Sequence, residues 1–116
     1  RARSTSSATA SWPEPPTLVT AYLVAAIDVH DQGLYAAYRE RVPAIVAAFG
    51  GRYLVRGGRQ TELEGAWPGG RTVVMAFPDR AAAEAFYRSP AYREVLAIRQ
   101  RAATGSVLIV DGVEPA

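Results

Sequence analysis

The run from Val19 to Val29 (Val-Thr-Ala-Tyr-Leu-Val-Ala-Ala-Ile-Asp-Val) is almost wholly apolar or β-branched and stops at His30-Asp31-Gln32-Gly33. It predicts a strand followed by a turn. Leu34, Tyr38, Val42, Ile45 and Phe49 then recur every three or four positions, the spacing of one face of a helix, and Gly50-Gly51 closes the segment. Asp31 is suited to cap that helix, and Pro43 inside it removes an amide donor and predicts a bend. Arg52 to Arg56 reads as a second strand, interrupted by Gly57-Gly58 and continued in extended form over Gln60 to Glu64 towards the turn Trp67-Pro68-Gly69-Gly70. Arg71 to Phe77 is a third strand. Asp79 caps a helix that runs through Tyr87, Ser89-Pro90 breaks it, and a further helix carries Tyr92, Val95, Leu96 and Ile98 along one side. Ser106 to Val110 completes the pattern as a fourth strand.

The order is therefore βαββαβ, an α+β class domain of ferredoxin-like type with an antiparallel four-stranded sheet and its helices on one face. Two of the strands are apolar on both sides. Leu23, Ala25, Ile27 and Val29 alternate with Tyr22, Val24 and Ala26, and Val73, Met75 and Phe77 alternate with Val74 and Ala76. Helices cover only one side of such a sheet, and a dry second side calls for another layer. A second copy packed sheet to sheet about a two-fold axis supplies it, so a homodimer is expected.

The chain has 116 residues, 49% of them apolar, enough for one hydrophobic core and not two. Residues 1–17 are rich in Ser, Thr, Ala and Pro without a period and read as a flexible tail, on which Trp12 could serve as an anchor; residues 18–116 form the single domain. The isoelectric point near 9.3 is partly a property of that tail. Beyond it, Arg and acidic residues nearly balance, and no Arg stripe with interleaved aromatics appears, so nucleic acid is not an expected partner. Every basic residue is Arg, whose fork suits carboxylates.

Absence of cysteine removes disulfides, thiolate nucleophiles and Cys-ligated metals, and a single histidine removes His-rich metal sites. The glycine pairs lack the signatures of phosphate loops, and no G-x-S-x-G elbow is present. No apolar run is long enough for a membrane span, and the leader has no hydrophobic signal core. No cofactor, no metal, no membrane and a cytoplasmic location are the expectations.

Four spaced segments resemble the bacterial domain of unknown function 1330: Gly50-Gly51-Arg52-Tyr53-Leu54-Val55-Arg56-Gly57-Gly58, Leu63-Glu64-Gly65-x-Trp67, Phe86-Tyr87-x-Ser89-Pro90-x-Tyr92 and Ile109-Val110-x-Gly112. The resemblance spans Ala21 to Val113 and implies a dimeric α/β barrel, in agreement with the strand pattern. Its wider superfamily, the resemblance implies, includes cofactor-free monooxygenases, isomerases, polyketide cyclases, lyases and haem-degrading enzymes. Fold alone does not choose among them.

The resemblance further implies a pocket between sheet and helices. Arg56 precedes two glycines that permit close approach, while Glu64 and Arg71 flank the facing hairpin. An Arg–Glu pair there is either structural or a functional set in which Arg56 holds a carboxylate or enolate-like oxygen and Glu64 accepts a proton. Tyr38 lies on the inward stripe and Tyr92 lies near Arg99 two turns later, positions open to a core role or to orienting a polar ligand. Tyr22 and Arg71 complete the ligand-contacting candidates, with Trp67 as lid or dimer contact. His30, between Asp28 and Asp31, is a solvated turn residue or a base positioned by Asp28. Two classes follow: a cofactor-independent enzyme acting on a small carbonyl or aromatic compound by proton transfer, isomerisation or cyclisation, or a non-catalytic dimeric binding module. Cofactor-free oxygenation is a third reading.

Overall fold

A computed structural model describes residues 19–115, so the expected tail and Trp12 lie outside the described residues. The elements follow in the order β1 (Val19–Val29), α1 (Gln32–Ala48), β2 (Arg52–Arg56), β3 (Arg71–Phe77), α2 (Arg80–Arg88), α3 (Pro90–Ala102) and β4 (Ala103–Pro115). All neighbouring strands are antiparallel, in the spatial order β2-β3-β1-β4, which is the ferredoxin-like arrangement.

Local chemistry sets the helix boundaries. The Asp31 carboxylate accepts from the Leu34 amide at 3.0 Å, and that of Asp79 accepts from Ala82 at 2.8 Å, so each satisfies an amide the first helical turn leaves open. Ser89 closes α2 and opens α3. Its Oγ donates to the Phe86 carbonyl at 2.8 Å and accepts from the Tyr92 amide at 3.1 Å, and Pro90 occupies the first turn of α3, where no amide is needed.

The core lies between the helices and one side of the sheet. Leu23, Ile27, Val73, Met75 and Phe77 point into it from the strands, and Val42, Val46, Phe86, Val95 and Leu96 from the helices. The buried stripe of α1 is Tyr35, Tyr38, Val42 and Val46; Leu34, Ile45 and Phe49 flank it, half-buried. Among the described residues no helix lies on the other side of the sheet. There the cross-strand neighbours Val24 and Val74 sit half-buried, with Leu54, Val55, Leu108 and Val110 exposed around them.

Pro43 lies inside α1, which continues past it to Ala48 as one helix. Two local expectations change. The Gln60 to Glu64 segment belongs to no strand, because Gly57 turns the chain off the sheet at φ 73° and side-chain bonds organise the loop instead. Within that loop Thr72 Oγ1 donates to Gln60 Oε1 at 2.7 Å, the Trp67 indole donates to Thr72 Oγ1 at 3.0 Å, and the Trp67 amide donates to Glu62 at 2.8 Å. Finally, β4 is far longer than Ser106 to Val110. It follows β1 from the Val29–Ala103 pair to the Val19–Pro115 pair. Gly105 and Gly112 lie within it, where a Cβ at Gly105 would strike the Ala26 carbonyl and one at Gly112 the Thr20 carbonyl and the Tyr22 ring.

Candidate functional site

One cavity lies between the sheet and the helices, with a floor built by Leu23, Ala25, Val73, Met75 and Val107. Above it stand Tyr35 and Tyr38 from α1, Tyr92 and Arg99 from α3, Tyr53 and Arg56 from β2, and Arg71 from β3. Arg39 completes the wall. The tyrosines of α1 face inward because they are three residues apart, and Tyr92 and Arg99 share a face because they are seven apart, close to two helical turns. The free volume is about 20 Å³, room for a single water molecule.

At its buried end the Tyr38 and Tyr92 hydroxyls meet at 2.9 Å, with the rings edge to face. Burial, reinforced by the neighbouring Tyr92, pushes the Tyr38 phenol well above the ordinary tyrosine range. The Tyr38 phenol therefore keeps its proton and acts as a hydrogen-bonding group, not as a base. Arg99 is 7% exposed, and its guanidinium carbon lies 6.0 Å from the centre of the Tyr38 ring. Burial disfavours its charge, but the Tyr92 and Tyr38 oxygens facing it more than offset that, and the net direction is upward. It stays cationic.

The outer part is organised by arginines on aromatic faces. Arg56 lies 4.6 Å over Tyr53 and Arg71 lies 5.5 Å over Tyr35. Burial raises Tyr53 to about 12 against the opposing influence of Arg56. The Arg56 Nη2 donates to the Arg39 carbonyl at 2.6 Å. Arg71 crosses the backbone at Gly57, where a Cβ would collide with its guanidinium. The close approach that the glycines permit is thus taken up by Arg71.

Of the residues singled out from the sequence, the cavity gathers Arg56, Tyr38, Arg71, Tyr92 and Arg99. Glu64 is exposed and, with Trp67, lines a separate groove of about 420 Å³ beneath the loop after β2, away from Arg56. The expected Arg–Glu pair does not form, since the segment carrying Glu64 leaves the sheet at Gly57. His30 is exposed at the end of β1, where its amide donates to the Ala102 carbonyl at 2.9 Å. Asp28 does not orient it: the Asp28 carboxylate accepts from the Gly70 amide at 2.7 Å. Tyr22 lies on the opposite side of the sheet, opposite Ala76 and Val110. Tyr53 lines the cavity as well, and Tyr35 and Arg39 are cavity residues that the sequence reading omits. For Tyr35 the signal was present in its i, i+3 relation to Tyr38; for Arg39 it lay only in the assembled geometry.

No group of three or more His, Cys, Asp or Glu side chains able to hold a metal ion occurs among the described residues, and none of their helices is long and apolar enough to cross a membrane.

Several solved structures share the fold. A protein of unknown function from Rhodopseudomonas palustris aligns with a TM-score of 0.68 at 20% identity, covering 84% of this chain and 85% of its own. SnoaB, a cofactor-independent oxygenase from Streptomyces nogalater, aligns at 0.59 and 13% identity, covering 83% and 95%. Rv0793 from Mycobacterium tuberculosis aligns at 0.50 and 19% identity, covering 84% and 98%. No curated protein matches the chain significantly. The model of the domain of unknown function DUF1330 matches residues 20–113, and the chain belongs to that family.

Proposed function

We propose that this protein is a homodimeric, cytoplasmic small-molecule enzyme that needs no cofactor and polarises a small carbonyl or aromatic compound for proton transfer, isomerisation or cyclisation. The observation that carries the reading is the buried Tyr38–Tyr92 hydroxyl pair at 2.9 Å, set beside a nearly inaccessible Arg99 in a cavity with an apolar floor. Such an arrangement sets O–H and N–H donors around a space from which water is largely excluded, where charge stabilisation is strongest. Tyr38 and Tyr92 would hydrogen-bond the carbonyl oxygen, Arg99 would stabilise negative charge developing there, and Arg56 and Arg71 would hold the substrate from the outer side. Glu64 and His30 have no part in this set.

The dimer is supported by the uncovered apolar side of the sheet, where Leu108 is 56% and Val110 46% exposed. Pairing there leaves the cavity free on the helix side.

The test is turnover of a panel of small enolisable ketones, β-dicarbonyl compounds and phenols, with oxygen uptake recorded in parallel. The expected result is turnover by the wild type that falls about 100-fold in Tyr38→Phe and Tyr92→Phe at nearly unchanged melting temperature. Equal turnover by these variants removes the proposed roles. Absence of turnover across the panel favours the binding-module reading, for which the small free volume of about 20 Å³ speaks. Oxygen consumption with phenols would identify cofactor-free oxygenation instead.

A further inference from the structure

Among the described residues no acid pairs with the cavity arginines. The ion pairs among the described residues join Arg41 to Glu94, Arg80 to Asp111 and Glu84, and Arg88 to Glu84, and none involves Arg39, Arg56, Arg71 or Arg99. Arg71 Nε is buried without a hydrogen-bond partner, and Arg71 Nη2 reaches the Arg56 carbonyl only at 3.5 Å. Arg99 is 7% exposed. Asp28 borders the adjoining mouth with Arg39 and Arg71, but its carboxylate is held by the Gly70 amide. Among the described residues the cavity lining contains no Asp, Glu or His, and its polar side chains are Tyr and Arg.

We propose that this cavity binds a planar organic oxyanion, a carboxylate or the ionised form of an acidic enol or phenol, so that the bound molecule arrives already deprotonated. Buried guanidinium groups without a counter-charge are costly, and an entering oxyanion removes that cost while satisfying the open Arg71 Nε. Arg is the side chain whose donors match a planar, two-oxygen group. Flatness is favoured by the placement of Arg56 over the Tyr53 ring and of Arg71 over the Tyr35 ring, which lines the outer cavity with planar groups. A free volume of about 20 Å³ leaves room only for the charged head, while the body rests at the mouth beside the solvent-exposed Arg39 and Arg56. The lining offers no base to create the anion, so ionisation belongs to the ligand.

This inference rests on reading the cavity as the ligand site, and it does not require turnover. Its test is calorimetric titration of the full chain with benzoate, with its neutral analogue benzamide, and with 4-nitrophenol near that phenol's own pKa. Benzoate is expected to bind at least about ten-fold more tightly than benzamide. 4-Nitrophenol is expected to gain nitrophenolate absorbance on binding, because the site lowers its pKa; response to benzoate alone assigns the site to carboxylates, and response to both assigns it to oxyanions in general. Arg71→Gln and Arg99→Gln should each weaken benzoate about ten-fold or more, whereas Arg101→Gln, at an exposed position outside the cavity lining, should not. If Arg99→Gln fails to fold, Arg71→Gln decides. Equal binding of benzoate and benzamide, no binding of either, or undiminished benzoate binding by folded Arg71→Gln overturns the inference. Anion binding without turnover would remove the enzyme reading and leave this inference standing; turnover of neutral ketones with no preference for anions would do the reverse.

Discussion

The Arg56 guanidinium donates a 2.6 Å hydrogen bond to the Arg39 carbonyl, the acceptor that residue 43 would serve in a regular helix and that Pro43 cannot. The strand side chain thereby replaces a missing helix amide and ties β2 to α1 across the cavity entrance. Arg56 thus has a structural task whether or not it also meets a ligand.

The first prediction concerns that bond. Arg56→Ala should destabilise the wild type by about 1–2 kcal/mol, and by about 1 kcal/mol less in a Pro43→Ala background, where residue 43 regains its amide. Chemical denaturation of the four proteins in the cycle measures the coupling; a coupling of zero would separate Pro43 from Arg56.

Gly57 gives a second. It holds φ 73°, and a Cβ there would run into the Arg71 guanidinium, whereas nothing lies within 4 Å of a Cβ at Gly58. Gly57→Ala should cost about 1–2 kcal/mol through the left-handed backbone alone and should displace Arg71, while Gly58→Ala should be near neutral. Thermal melts of the pair, together with benzoate titration, check both effects.

The third is a pH dependence. The native state holds the Tyr38 proton to higher pH than the unfolded chain, whose tyrosines release theirs near pH 10, and Tyr53 behaves similarly, with a native value of about 12. The folded state binds more protons above pH 10, so stability is fully present below that value and falls as pH rises beyond it. Tyr38 should contribute a slope approaching about 1.4 kcal/mol per pH unit, the Tyr53 share ending near pH 12. In Tyr38→Phe the decline should be about halved, the Tyr53 share remaining, as denaturation midpoints across roughly pH 9.5 to 11.5, around the free tyrosine value, would record.

A fourth addresses the bare side of the sheet. Leu108→Asp combined with Val110→Asp places charges on the exposed centre of the proposed contact, beside Val24 and Tyr22. Light scattering should give a dimer for the wild type and a folded monomer for the double variant. A monomeric wild type at micromolar concentration would remove the pairing.

Much of this molecule was determined by the sequence itself. Alternation in β1 and β3, the caps Asp31, Asp79 and Ser89, and the break at Ser89-Pro90 act over a few residues, and so the element order and the two apolar sheet faces could be read directly. Tyr38, Tyr92 and Arg99 were legible for the same reason, since helical spacing places them on inward faces. Only the tertiary structure decided which arginine meets which group. Glu64 was separated from Arg56 by the chain leaving the sheet at Gly57, β4 extended because β1 offered it a full-length edge, and Arg56 found a carbonyl orphaned by a proline on another element. Those outcomes depend on contacts between residues distant in sequence, where no local period carries a signal, and they turned an expected Arg–Glu pair into a cavity of arginines and tyrosines without an acid.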